Sequence, residues 1–586
     1  AGNGDIVLVA TAGDITLNDG ADADDIAVSA NGSGNILLDA AAGSLVANGD
    51  IVSESGHLTL KAQNDITLSD GVAVATATAG TISLNAATGA ITMAGDANLT
   101  ATDSSARLAA QGDVTLGNVT AADVSIDSDG GSLINAAGSS LNVTATNLRL
   151  QAQGAIGTAA RHLSTDVDTL SALASTGSIF LTEADGVTLA DVAVSVTEFN
   201  ADATTTVVTD AAQSDLTTET NNGDIVLVAT AGDITLNDGA DADGLAISTN
   251  GSGNVELQAL DGRVLGNSNA AIRADGLNID VSQGIGEASQ ALQTQVNTLS
   301  LSVDEGEVYI SNTGDSLEFL DSSIEDVDSF RLQTSADLEV TGSHVLSGGS
   351  NQLLAQGDLF LDTVLSQVSG NLQMRGNSVT FLEGSELTSL GDVDIRAVED
   401  IRITSLSALQ GAVSLVSGSG RLIGEGGPSN VNVEANTLAV ASKGFELRSP
   451  DLGGLADTIA GLEQSPLNVD VGSLEALSGL NTVFNLIIEG DGNLVEISDG
   501  NLVLQLVSAG NRSDVSSLGP IGLTVEQFET TIDLRFRNGV PGSEGLVLDD
   551  MIEEIWSDEQ SRFDERMGRL ADEMDRDGVL DSEARK

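Results

Sequence analysis

Residues 3 to 24 read NGDIVLVATAGDITLNDGADAD, and the same 22 letters return from Asn222 to Asp243. Within the stretch Ile6 and Leu8 face one way and Val7 and Val9 the other, and Ile15 and Leu17 follow after Gly13-Asp14. Alternation over four or five residues, bounded by Gly, Asn and Asp, marks a short strand with one face turned inward. The unit recurs as Asp14-Ile15-Thr16-Leu17, Asn35-Ile36-Leu37-Leu38, His57-Leu58-Thr59-Leu60, Asp65-Ile66-Thr67-Leu68, Thr81-Ile82-Ser83-Leu84 and Asp113-Val114-Thr115-Leu116. Its spacing clusters near nine or ten residues, or twice that.

A meander of hairpins would alternate in the same way, but Asn-Gly and Asp-Gly pairs at two-residue spacing are too few to close so many hairpins. A coil of about 20 residues, with two or three short strands and Gly or Asn at the corners, accounts for the period better. The expected fold is therefore all-β, a right-handed parallel β-helix, with each coil stacked on the last. If coils run to about residue 510, roughly 25 rungs at about 4.8 Å each make a stack on the order of 120 Å long.

The copies indicate which face is buried. Ile36 becomes Val255 and Leu38 becomes Leu257, whereas Leu37 between them becomes Glu256, Ala42 becomes Asp261 and Ser44 becomes Arg263. Inward positions stay aliphatic while outward ones drift to charge, as the two-residue period of a strand requires. A second repeat, 129 residues apart, matches Leu163 to Leu170 and Ser178 to Leu181 with Leu292 to Leu299 and Glu307 to Ile310. Gly154-Ala-Ile-Gly157 pairs in the same way with Gln283-Gly-Ile-Gly286, and a looser third version begins at Phe445. Whole groups of coils have been copied: 3–46 with 222–265, and 154–181 with 283–310. Strand-like Thr206-Val207-Val208 precedes the second copy, whereas only Ala1-Gly2 precede the first. A bare first coil would need covering, either by further coils of a larger precursor or by head-to-tail self-association into filaments.

Composition narrows the function. Aromatics make up 2% of the chain and none occurs before Phe180, so the core is aliphatic. With 87 acidic and 22 basic residues the formal charge is -65, which argues against nucleic acid and anionic membranes as partners. No apolar run reaches the 18 or so residues of a membrane span. Zero Cys removes disulfides and thiolate metal sites.

From about residue 511 to 545 the texture changes to a transition region, and 546–586 reads as an acidic amphipathic helix and tail. Ile552, Trp556, Phe563, Met567 and Leu570 recur at helical steps in it, suited to capping the last coil or to docking a partner or the next subunit. Asp575, Asp577 and Asp581 approach the spacing of a calcium loop, with Ala584 where an EF-hand places Glu; calcium is the one cofactor considered. The corner loops holding Asp19, Asp22, Asp24 and Asp25, and again Asp238, Asp241 and Asp243, read as solvated turns, with calcium binding as the alternative. His57, His162 and His344 stand apart in no catalytic pattern and are expected at solvated wall or corner positions, so no catalytic residue is assigned and no enzyme is expected.

The GDITL, GSIFL and GTISL strands, the LSTDVDTL and STGSIFLTEADGVTL segments and the GFELRSP stretch make residues 1 to 510 resemble the repeat region of filamentous-haemagglutinin-like large exoproteins of Gram-negative bacteria. The resemblance implies an extracellular or outer-surface location, export with an outer-membrane transporter as partner, and a role as adhesin stalk, fibre or biofilm-matrix component. The alternative is a module that binds glycan or cells through wall loops, for which an exposed cluster of Tyr309, Phe319 and Phe330 would speak.

Overall fold

Where two aliphatic side chains flank a polar one on a strand, a second strand laid alongside in register buries both, at about 1.5–3 kcal/mol for each fully buried Leu, Ile or Val. Ile36 and Leu38 stack on Leu58 and Leu60, which stack on Ile82 and Leu84, and all six are fully buried. Repeated along the chain, this makes a parallel β-solenoid of about 19 turns. The computed structural model describes residues 3–20, 24–426 and 430–442, followed by the strands Leu447–Arg448, Leu467–Ser478, Val483–Leu486, Asn493–Ser498 and Val503–Leu506. By contacts the chain divides into Ala1–Ile521, which holds the solenoid, and Gly522–Lys586. The expected C-terminal helix, with Ile552, Trp556, Phe563, Met567, Leu570 and the loop of Asp575, Asp577 and Asp581, lies outside the described residues.

Turn length varies more than the sequence spacing predicts. Ile36 lies against Leu58, and Val393 against Val413, after 22 and 20 residues; Ile6 meets Ile36, and Ile225 meets Val255, only after 30. The longer turns are one reason for about 19 turns instead of roughly 25. Corners are held by two devices. Asp at the strand entrance accepts a backbone N–H from the next rung, as Asp5 does from Asn35, Asp14 from Ser44, Asp65 from Ala90, Asp113 from Ser132, Asp233 from Arg263 and Asp337 from Asp358. Glycines stack where rungs approach too closely for a side chain: a Cβ on Gly56 would stand 1.9 Å from the carbonyl oxygen of Gly34. The Gly-Asp dipeptides of the repeat are thus inter-rung joints, and part of the acidic charge is spent on them.

The identical stretches do not occupy the same place in the cross-section. The column that starts at Ile15 passes through Leu45, Ile66, Ile91, Val114, Leu133, Ile156 and Ile179 and arrives at Ile225. The column that starts at Ile6 passes through Ile36, Leu58, Ile82, Ala106, Val124, Leu148, Leu170 and Leu189 and arrives at Leu236. Ile225, whose strand repeats the letters of Ile6–Ala10, therefore lies in the column of Ile15, and Leu236, whose strand repeats Ile15–Leu17, lies in that of Ile6.

Between the two copies the chain leaves the helical path. Val192–Phe199 and Thr205–Gln213 pair antiparallel as a hairpin, turned by Asn200–Thr204. Thr206-Val207-Val208 thus belong to this hairpin's outer strand and do not make a coil preceding the second copy. The hairpin lies across the rungs on an outward-facing column formed in register by Leu37, Thr59, Ser83, Arg107, Ser125, Arg149 and Ser171. From Thr59 to Ser171 is five steps of about 4.8 Å, a distance of about 24 Å that the eight residues Val192–Phe199 span at about 3.3 Å each. Phe199 N–H donates to Thr59 Oγ1 at 2.8 Å, Thr81 Oγ1 to Thr197 O at 2.7 Å, and Ser83 Oγ to Glu198 Oε1 at 2.8 Å. Lys61 pairs with Glu198 at 2.6 Å, and Arg107 Nε reaches both oxygens of Asp210 at 2.9 and 3.0 Å. Beneath it Thr59, Ser83, Ser125 and Ser171 are fully buried although they face outward, and Leu37, one rung beyond Thr59, is 3% exposed. Leu37 is therefore a covered position, unlike Glu256 in the second copy, where the expected inward–outward rule holds.

Candidate functional site

Among the described residues two clusters bring three carboxylates together, with one oxygen of each within 4.8 Å of the others: Asp166, Glu183 and Asp185, and Asp215, Asp241 and Asp243. Both flank the hairpin in sequence, and they differ in how their buried member is satisfied.

Glu183 ends the strand Ile179–Glu183 with its side chain turned inward and fully buried. Register places it against Thr165, whose Oγ1 donates to Oε2 at 2.6 Å; Val167 N–H and Ala184 N–H donate to Oε1 at 2.9 and 3.1 Å. Burial outweighs these donors and pushes its carboxyl up to about 7. The second repeat shows what the position is for: 129 residues on, Asn312 accepts from Thr294 Oγ1 and from Val296 N–H, both at 3.0 Å, and returns its amide to Val296 O. A neutral amide makes the same corner, so Glu183 is a corner joint with both of its oxygens already engaged.

Asp215 stands differently. It precedes the strand Leu216–Thr218 with φ at +67°, and its carbonyl accepts Ala172 N–H. Its side chain is 4% exposed, and Oδ1 is buried with no hydrogen-bond partner. Burial, then the charges of Asp241, Asp243, Asp238 and Asp191, raise its carboxyl to about 8. The loop Asn237–Gly244 supplies three of those carboxylates and is shaped by its own acids: Asp243 Oδ1 accepts Leu245 N–H at 2.9 Å, and Asp238 Oδ1 accepts Gly244 N–H at 3.3 Å. Asp191, immediately before the hairpin, accepts Ala240 N–H through both oxygens at 2.8 and 2.9 Å and the hydroxyl of Ser214, immediately after it. Leu216 pairs with Ile247, so Asp215 and the loop belong to successive rungs. Of the first copy's equivalent loop, Asp19, Asp24 and Asp25 are described and Asp22 is not.

The histidines depart in part from expectation. His344 is 3% exposed, against Phe319 at 4.5 Å between ring centres, and burial lowers its pKa. Inside the solenoid its ring nitrogens are satisfied by Ser322 Oγ and by the carbonyl of Thr341. His57 and His162 are half-buried, with Nδ1 at 3.0 Å from Thr81 Oγ1 and 2.9 Å from Thr182 Oγ1. Phe319 and Phe330 are fully buried and stacked at 6.0 Å, and Tyr309 is half-buried, so these three make no exposed platform. A groove of about 310 Å³ runs along the wall past Gln352, Gln373 and Asp394, which hydrogen-bond one another from rung to rung. Among the described residues, no helix is long and apolar enough to cross a membrane.

No family model, curated protein or solved structure matches this chain. Asp238, Asp241 and Asp243 were legible in the repeat, and extending the 129-residue repeat by two residues aligns Glu183 with Asn312. Asp191 and Asp215 carry no sequence signal, because only the hairpin's closure brings them to the loop.

Proposed function

We propose that this chain is a structural β-solenoid of a bacterial surface or secreted exoprotein, acting as an adhesin stalk, fibre or matrix element of the filamentous-haemagglutinin-like kind. The observation that carries this reading is where the polar side chains are employed. Asp, Asn, Ser and Thr of one rung bond to the next, above columns that stay aliphatic from Ile15 to Ile225 and from Ile6 to Leu236. Such a body resists bending and shear, keeps a charged wall in water, and fixes the distance between whatever lies at its ends.

The test has two arms. Antibodies to the solenoid are applied to intact and permeabilised cells of the producing bacterium; labelling of intact cells supports the reading, and labelling only after permeabilisation overturns it. In the same cells, deletion of Val393–Ala412 removes one turn and lets Leu372 meet Val413, since both pair with Val393. A stalk keeps its attachment and shortens by about 4.8 Å. The alternative, recognition through the groove of Gln352, Gln373 and Asp394, predicts loss of attachment with this deletion, because the turn carries Asp394.

A further inference from the structure

We infer that Asp215, Asp241 and Asp243 form a calcium site that clips the base of the hairpin to the rung that follows it. The geometry suits that ion. Calcium binds oxygens at about 2.3–2.6 Å, so two oxygens of one coordination shell lie at most about 5.2 Å apart, and the three carboxylate oxygens, within 4.8 Å of one another, meet that limit. All the donors are oxygens, which selects a hard cation over zinc or copper.

The cluster alone would be an acidic turn; Asp215 makes it more. Its Oδ1 is buried with no hydrogen-bond partner, and its carboxylate brings one oxygen within 4.8 Å of oxygens of the exposed Asp241 and Asp243. An unpartnered carboxylate oxygen out of water is costly unless a charge meets it. No ion pair among the described residues involves Asp191, Asp215, Asp238, Asp241 or Asp243. The cluster of Asp166, Glu183 and Asp185 is the internal contrast: equally close, but both oxygens of its buried member already accept hydrogen bonds, from three donors. The open side, toward Asp241 and Asp243, leaves room for water to complete the shell. A cation there would join Asp215, next to the hairpin's end, to the loop Asn237–Gly244 on the next rung, alongside the bonds Asp191 already makes to Ala240.

The experiment is calorimetric titration of the full chain with calcium and with magnesium at about 0.15 M salt, comparing the natural sequence with Asp241→Asn and Asp215→Asn. Asp241 is exposed and Asn is isosteric with Asp, so both variants should fold; circular dichroism checks this. The expected result is loss of one calcium equivalent in each variant, with a Kd in the range of about 10⁻⁴ to 10⁻³ M found for extracellular calcium modules. Any calcium held by Asp575, Asp577 and Asp581 remains in both variants and is subtracted. Unchanged stoichiometry in both variants overturns the site, and magnesium binding of equal strength overturns its assignment to calcium. A second readout is proteolysis of the loop Asn237–Gly244, which calcium should slow in the natural chain and leave unaffected in Asp241→Asn.

Discussion

Ile6–Ala10 and Ile225–Ala229 share every letter, yet Ile225 lies in the column of Ile15 while the column of Ile6 arrives at Leu236. A column asks little of a sequence: an aliphatic residue at alternate positions, a turn at each end, and a partner rung at the right height. Any strand meeting those terms fits any column, so duplicated blocks can be inserted without keeping the cross-section in phase. What differs between the copies is outside the wall. A hairpin lies over the outward column from Thr59 to Ser171, and one rung beyond it Leu37 is buried where the second block carries Glu256 in partial contact with water.

That contrast breaks most readily at Leu37. Leu37→Glu restores the letter of the second copy but places a carboxylate in a covered column; the expected loss is on the order of 3 kcal/mol. It would be read as a lower melting temperature and faster cleavage of the hairpin. A melting temperature unchanged from the natural chain would show that the column is open to water. The corner at Glu183 comes next. Its carboxyl has an ordinary value near 4.5 and is held near 7 in the fold, so the folded chain binds the extra proton between these values. Stability from this group is full below about pH 4.5 and declines as the pH rises to about 7. At about 1.4 kcal/mol per pH unit this is on the order of 3 kcal/mol as an upper bound. Glu183→Gln, which imitates Asn312, should flatten that decline in denaturant melts taken from pH 4 to 8; a slope as steep as in the natural chain would place the titration elsewhere. The smallest effect belongs to Glu256→Leu, the reverse exchange on an uncovered wall, expected to change stability by less than about 0.5 kcal/mol.

Most of the winding was legible because it depends on local rules: alternation in Asp14-Ile15-Thr16-Leu17, glycine where rungs touch, and a pattern of exchange between copies that separates Leu38 from Glu256. The hairpin was not, because Val192-Ala-Val-Ser-Val196 alternates as any wall strand does and its turn, Asn200–Thr204, lacks a two-residue hairpin signature. The column exchange was invisible for a stronger reason: identical letters carry no information about which neighbour they meet. Of the second cluster, only the loop residues Asp238, Asp241 and Asp243 could be found by reading along the chain. Asp215 enters through the register of Leu216 with Ile247, a property of two rungs together.

In a stack whose members touch only their neighbours, unravelling proceeds one rung at a time from either end. The hairpin changes this for part of the solenoid. It is bonded to Lys61 and Thr59, to Thr81 and Ser83, to Arg107, and to Arg149 and Leu150, residues of rungs that run from Leu58 to Ala152. Those rungs cannot part in sequence until the hairpin has let go of all of them. They should therefore open as one cooperative block, and a force pulling the chain from its ends should meet in that block a single tall barrier among many small ones.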